Sequence, residues 1–299
     1  LQASFWSARA GMTRLALAFL WLLHWLPLSL QAAIGRGFGR LLFLLGRERR
    51  QVTLTNLGLC FPQMSAAERL ALARRHFEAF GRSVLERGIL WWSGKERIQR
   101  LVRIEGLEHF RAVADRPVIW LAPHFVGLDM GGVRLTTEFR LVSMYSRQKN
   151  PLVDRLLLHS RTRFGNSPMA SRQDGLKPVV REMRKGLPFY YLPDMDFGAR
   201  DAVFVPFFGV PTATVTALSR LAKITGAAVV PCVTRQLPGG AGYVATLHPA
   251  WQDFPSDDVE ADTRRMNAYI EAEVLQMPEQ YYWLHKRFKT RPPGEKGVY

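Results

Sequence analysis

An apolar run that ends in a histidine, with an aspartate five positions further on, stands out for its chemistry: Val118-Ile119-Trp120-Leu121-Ala122-Pro123-His124-Phe125-Val126-Gly127-Leu128-Asp129. Imidazole exchanges a proton near neutral pH, and a carboxylate behind it fixes the tautomer and stabilises the charged ring. His124 therefore reads as a general base and Asp129 as its carboxylate partner. Five residues of ideal helix turn through about 140°, so the two converge only if His124 sits on a turn and Asp129 in the first helical turns after it. An isolated H-x4-D also fits a loop histidine beside a helix-start aspartate, and the spacing alone does not separate the two.

What is missing narrows the reaction. No G-x-S-x-G elbow, Walker loop, G-x-G-x-x-G after a strand or H-E-x-x-H occurs, so a serine hydrolase, a nucleotide enzyme and a zinc protease each lack their parts. Cys60 and Cys232 lie far apart with neither a C-x-x-C nor a histidine-rich neighbour, which supports no disulfide framework and no metal site. No cofactor is expected, and a reducing compartment is the default. A base without a protein nucleophile suits direct attack by a substrate hydroxyl. Acyl transfer from a thioester to an alcohol needs little beyond such a base and a group to stabilise the oxyanion.

The elements that must position these residues read as an α/β fold, a mixed central sheet covered by helices. Short apolar runs bounded by Gly or Pro predict strands at 118–122, 141–145, 189–192, 204–208, 229–234 and 243–247. Helical stretches at 151–164, 176–185, 214–225 and 259–276 alternate with them. Ser65-Ala66-Ala67-Glu68 is a capping-box pattern, and the apolar spacing behind it predicts one long helix to about Trp91. His124 then falls at the carboxyl end of a buried strand, where open α/β sheets bind their ligands.

The amino-terminal stretch differs in kind. Residues 15–30 read LALAFLWLLHWLPLSL, and the apolar character continues to Gly35, about the length that spans a bilayer. Residues 35–46, GRGFGRLLFLLG, read as an amphipathic segment lying in the interface. Residues 1–50 are thus expected to be a membrane anchor and interfacial segment and 51–299 the acyltransferase domain, a cleavable signal peptide and a buried core helix being the alternative readings of the apolar run. Arg36, Arg40, Arg47, Arg49 and Arg50 follow the apolar run and only Arg9 and Arg14 precede it, which puts the body on the cytoplasmic side. The whole chain of 299 residues is 47% hydrophobic, enough for a large core, and carries a formal charge of +16, which favours an anionic partner.

Further motifs carry a resemblance. Met144-Tyr145-Ser146-Arg147-Gln148-Lys149-Asn150-Pro151, Arg161-Thr162-Arg163, Leu192-Pro193-Asp194-Met195-Asp196-Phe197-Gly198, the VFVPFFGVP block at 203–211 and the PEQYYWLHKRFKTRP run at 278–292 follow the H-x4-D in order. Together they resemble the late lipid A acyltransferases of Gram-negative bacteria, with order and spacing matching from the anchor to the carboxyl-terminal runs. H-x4-D alone is shared with the glycerolipid acyltransferases. The resemblance implies a glycerolipid-acyltransferase-like fold and an inner-membrane enzyme that moves a fatty acyl chain from acyl carrier protein onto a hydroxyl of a lipid A-linked hydroxyacyl chain. It implies His124 as base, Asp129 as its partner, and Arg161 and Asp194 as substrate-binding or further site residues.

Some positions depart from the family pattern. Asp129 stands where Glu is frequent and Met195 where Gln or His is usual. Val126 and Leu192-Pro193-Asp194 stand where the glycerolipid branch prefers Ser and an FPEGT-like block, arguing against a glycerol-phosphate acceptor. The aromatic and basic run 281–291 suits headgroup contact or a docked carboxyl-terminal helix; the VFVPFFGVP block reads as strand plus turn. Expected partners are acyl carrier protein, the lipid A precursor and the anionic inner membrane. The alternatives are an acyltransferase for another lipid and a non-catalytic basic protein binding membrane or nucleic acid. Nucleic acid is disfavoured because no recognition motif appears and the positive charge is scattered along the chain.

Overall fold

The computed structural model describes residues 8–299; residues 1–7 of the expected anchor lie outside it. The chain opens with α1 (Ala8–Leu23) and α2 (Leu28–Leu45), followed by α3 (Arg47–Cys60) and α4 (Ala66–Leu85). The expected single apolar span is therefore broken: Pro27, which has no N–H to continue a helix, stands at the start of α2. The supposed interfacial segment 35–46 forms most of α2, and one side of it is packed against α4. A Cβ on Gly39 would lie 2.1 Å from the Phe77 carbonyl oxygen, and one on Gly81 would lie 2.4 Å from that of Gly35. The GRGFG spacing is a small-xxx-small stripe that lets two backbones touch. Leu28–Leu45 remains long and apolar enough to cross a membrane, with a mean hydropathy of 1.2.

The capping box forms as read: Ser65 Oγ accepts from the Glu68 N–H at 3.2 Å, and Glu68 Oε2 accepts from the Ser65 N–H at 2.7 Å. The long helix does not reach Trp91 unbroken. It stops at Leu85 and resumes as α5 (Arg87–Trp92), before α6 (Lys95–Leu101) leads into β1 (Val102–Glu105).

After α7 (Leu107–Arg111) come β2 (Val118–Leu121), α8 (Leu128–Thr136), β3 (Val142–Tyr145), α9 (Pro151–Thr162) and β4 (Met169–Ser171). Then follow α10 (Lys177–Met183), β5 (Phe189–Tyr191), β6 (Ala202–Phe207), β7 (Val210–Val215), α11 (Ala217–Thr225), β8 (Ala228–Gln236), β9 (Tyr243–Leu247) and α12 (Val259–Gln276). Seven strands form one sheet in the order β1-β9-β8-β2-β5-β3-β4, parallel except for β8 against β9. The mixed α/β architecture expected from the sequence is the one observed. Two expectations shift within it. Phe204–Phe208 does not join the sheet: β6 and β7 make a separate hairpin whose two linking residues, Phe208 and Gly209, both have positive φ, 50° and 76°. Residues 214–216, expected to open a helix, finish β7 and its turn.

The centre of the sheet is covered on both faces. In β2, Ile119 and Leu121 pack with Val179 of α10 and Leu221 of α11, while Val118 and Trp120 pack on the other side with Leu135 of α8. Side chains alternate across a strand, so an unbroken apolar run reads as buried twice over. That double burial fixes where β2 ends and where the next residues emerge.

Candidate active site

β2 lies between β5 and β8, parallel to both, so the carboxyl ends of three strands face the same edge. The Ala122 N–H still pairs with the Tyr191 carbonyl at 2.8 Å; Pro123 then ends the ladder and His124 turns out. From the neighbouring strand end, Asp194 meets it. Asp194 Oδ1 lies 2.6 Å from His124 Nδ1, and Oδ2 accepts from the His124 backbone N–H at 3.0 Å. Asp194 is buried, 1% exposed. Burial pushes its carboxyl up, but His124 beside it and the hydrogen bonds from that residue outweigh burial and hold it below the usual range. An ionised Asp194 can only accept, so Nδ1 carries the ring proton and the neutral ring keeps its lone pair on Nε2.

Asp129 sits in the first turn of α8, as the convergence argument required, but its hydrogen bonds go elsewhere. Oδ1 accepts from Arg161 of α9 at 2.9 Å and Oδ2 from Arg87 of α5 at 3.4 Å. Burial raises the Asp129 carboxyl, and the two guanidiniums overcome that and bring it down to about 2. The hydrogen-bonded carboxylate of His124 in this structure is thus Asp194, while Asp129 joins two arginines. Spacing could not anticipate this, because Asp194 is seventy positions from His124 and reaches it only through the β2–β5 pairing.

Arg87 is the site residue that the sequence reading missed. It follows Glu86 at the break between α4 and α5, where a continuous helix had been expected. The frame around it is rigid. Arg163, two residues beyond Arg161, donates to the Trp91 carbonyl at 3.2 Å and ties α9 to the end of α5. Asn150 caps α9 with Pro151 behind it, its Oδ1 accepting from the Leu152 N–H at 3.0 Å. α8 lies so close to β8 that a Cβ on Gly131 would stand 1.8 Å from Thr234 Oγ1, which accounts for the glycines around Asp129.

The carboxyl-terminal run neither forms a helix nor lies open to solvent. The Tyr282 N–H donates to the His124 carbonyl and the Val126 N–H to the Gln280 carbonyl, at 2.9 and 2.8 Å. Tyr281, Trp283 and Phe288 are core residues. Arg287, 2% exposed, donates to the Ala213 carbonyl at 2.9 Å and to Thr214 Oγ1 at 3.0 Å, so its charge serves packing rather than headgroups. Burial, with Arg287 nearby, pushes His285 down to about 4, and its neutral Nε2 accepts the Asp196 N–H at 2.9 Å.

His124 and Arg161 open onto one cavity of about 360 Å³. Its apolar walls come from α9 (Leu157, Leu158), β3 (Met144) and the segment after β5 (Leu192, Phe197), with Arg172 at the rim stacked on Phe197 at 3.8 Å. Half-buried Met195 also lines it. A base with a fixed tautomer, a cation and an apolar wall suit a lipid-like substrate with one polar reacting centre. Among the described residues no cluster of His, Cys, Asp and Glu could hold a metal ion.

Residues 2–290 match the family model described as bacterial lipid A biosynthesis acyltransferase. The lipid A biosynthesis lauroyltransferase of Escherichia coli (strain K12) is 37% identical over 97% of this chain and 95% of its own length. The lipid A biosynthesis myristoyltransferase of the same strain is 36% identical over 88% and 81%. The solved 1-acyl-sn-glycerophosphate acyltransferase of Thermotoga maritima superposes with a TM-score of 0.39 at 15% identity, over 77% of this chain and 97% of that one. The family model covers nearly the whole chain, and the chain belongs to the bacterial lipid A biosynthesis acyltransferases.

Proposed function

We propose that this acyltransferase of lipid A biosynthesis takes its fatty acyl chain from acyl carrier protein and places it on a hydroxyl of a lipid A-linked hydroxyacyl chain, with His124 as the base. The observation that carries this reading is the buried Asp194–His124 pair opening onto an apolar-walled cavity. The acceptor hydroxyl loses its proton to His124 Nε2 as its oxygen attacks the thioester carbonyl. The tetrahedral intermediate collapses, the C–S bond breaks, and the proton on Nε2 passes to the leaving thiolate. The attraction between Asp194 and the ring grows as Nε2 takes the proton, so the Asp194 charge acts mainly on the transition state. The N–H groups of His124, Phe125 and Val126 are all engaged within the protein; of the two guanidiniums that line the cavity Arg172 is stacked on Phe197 at the rim, and Arg161 is the one assigned to the oxyanion or to a substrate oxygen. Asp129 and Arg87 act as positioning residues for Arg161.

The membrane supports the same reading. Met12, Leu15, Phe19, Leu22, Trp25, Leu44 and Leu45 are all about half exposed or more on α1, α2 and their junction, exposed apolar side chains of the kind that enter a bilayer. We place the body on the cytoplasmic face of the inner membrane, from the five arginines after the apolar run against two before it. The test is transfer from a defined acyl carrier thioester to a purified lipid A precursor, read by mass spectrometry. One acyl increment on the precursor, abolished in His124→Ala, is the expected result; transfer undiminished in a folded His124→Ala protein overturns the mechanism.

A further inference from the structure

On the face of the sheet opposite α8, α10 and α11 flank a groove of about 680 Å³. Its apolar part comes from Leu176 and Val180 on one side and Leu221 and Ile224 on the other, and Ile224 is 64% exposed. Its rim is cationic: Lys177, Arg181, Arg184 and Lys185 from α10 and the turn after it, and Arg220 from α11. Two acids neighbour these five cations. Glu182 is shared by Arg181 at 3.2 Å and Lys185 at 2.9 Å, and Asp201 lies 3.7 Å from Arg220, so the groove keeps a net charge of about +3 (five less two). The side chains of Arg181, Lys185 and Arg220 remain 71%, 59% and 56% exposed.

The fold does not require this pattern. Lys177 and Arg181 stand at i, i+4 on α10, where like charges weaken a helix by a few tenths of a kcal/mol. An exposed isoleucine among cations is equally without use to the core. The shape also selects among anionic partners. A bilayer receives side chains that protrude, and most of those lie on α1, α2 and their junction. α11 runs antiparallel to β8, so Ile224 lies near the start of that strand. The other end of β8 is where Gln236 donates to the Ala79 carbonyl of α4, at 3.2 Å. The groove thus extends away from the apolar helices. A concave apolar floor between cationic rims fits an amphipathic helix with acidic flanks.

We propose that the groove between α10 and α11 docks an acidic amphipathic helix of the protein that carries the acyl donor; this rests on the carrier-protein reading given above. The near end of the groove is close to the site along the chain. Arg172 lines the cavity that contains His124, and Lys177 follows it by five residues, a reach of at most about 18 Å. Charge of this kind acts chiefly on encounter and is screened by salt.

The experiment compares three proteins: wild type, the groove variant Arg181→Glu/Arg184→Glu, and a variant of equal charge at the β1 edge of the sheet, Arg103→Glu/Arg111→Glu, distant from the groove. KM and kcat for an acyl carrier thioester are measured across a salt series, with thermal unfolding to confirm folding. The groove variant is expected to raise KM at least tenfold with kcat unchanged and to flatten the salt dependence, while the distant variant stays within twofold of wild type. Arg181→Gln/Arg184→Gln gives a smaller shift in the same direction and serves if the reversal fails to fold. Equal KM values for groove and distant variants overturn the docking site while leaving the donor reading standing. No transfer from the carrier thioester by wild type overturns the donor reading and the docking site with it. Co-sedimentation with phosphatidylglycerol vesicles is expected to be unchanged in the groove variant; its loss, with the carrier KM unmoved, assigns the groove to the membrane instead.

Discussion

Replacing Asp194 by Asn is the most informative single change, because it keeps the shape of the side chain and removes only its charge. The amide oxygen can still accept the His124 backbone N–H that now lies 3.0 Å from Oδ2. What it loses is the attraction between a carboxylate and an imidazolium whose charge centres are about 4 Å apart, worth about 4 kcal/mol at the effective dielectric of protein sites. That attraction develops only as the ring is protonated, so about three orders of magnitude should disappear from kcat and kcat/KM together. Amide replacement in Ser-His-Asp triads costs about four orders, partly because the wrong tautomer is stabilised. The assay is kcat/KM against pH for wild type, Asp194→Asn and Asp129→Asn. The acidic limb of Asp194→Asn should move to lower pH, since the neutral amide no longer compensates for protonation of the ring. Asp129→Asn should lose activity with its limb moved much less, because Asp129 is hydrogen-bonded to Arg161 and Arg87 and acts on the imidazole only through space. Asp194→Asn within threefold of wild type and an unmoved limb would refute the pairing; a limb that moves only in Asp129→Asn would restore the dyad read from H-x4-D.

Other outcomes follow from the same contacts. His124→Ala should fold normally and lose about 10²- to 10⁴-fold in kcat, the usual value of a general base. Arg87→Ala should raise KM or lower kcat by about tenfold, and Arg87→Lys should recover part of it; an inert Arg87→Ala in the same kinetics would remove it from the site. Gly39→Val places a branched Cβ where 2.1 Å separates it from the Phe77 carbonyl oxygen, and should cost at least about 1–3 kcal/mol, read as a fall in Tm in detergent. Stability should also fall with acid. Burial holds His76 at about 4, below its ordinary 6.5, so its neutral form is favoured in the folded state. That preference is complete above pH 6.5 and is lost as pH drops towards 4, a difference of about 3 kcal/mol that urea unfolding of His76→Asn should lack.

The sheet was legible because its central strands are buried on both faces and bounded by breakers, so 118–122, 189–192 and 229–234 could be read as strands without alternation. The edge strands β1 and β4 were missed; each has three or four residues and too little apolar character to signal itself. At the site, the sequence identified the histidine and its turn, and the family resemblance singled out Arg161 and Asp194. Which carboxylate meets which base was not legible, because it depends on β5 lying beside β2, a fact of strand order rather than of spacing. The run 281–291 misled for a related reason. Aromatic and basic residues in alternation describe an interface as well as they describe a buried segment whose arginine is satisfied by carbonyls, and composition does not distinguish the two.

The carbonyl of His124 is held by the N–H of Tyr282, more than 150 positions later, and this makes the active site a late event in the life of the polypeptide. α1 and α2 leave the ribosome before the sheet that follows them and can reach a lipid phase while it is still being made. The His124 turn lacks this support until residues 280–282 have been synthesised and have paired with it. A nascent chain can therefore meet a lipid phase and yet lack the support of its His124 turn until the later segment is in place. Drawing that support from so far along the chain couples competence to the synthesis of the later segment, with no separate inhibitor needed.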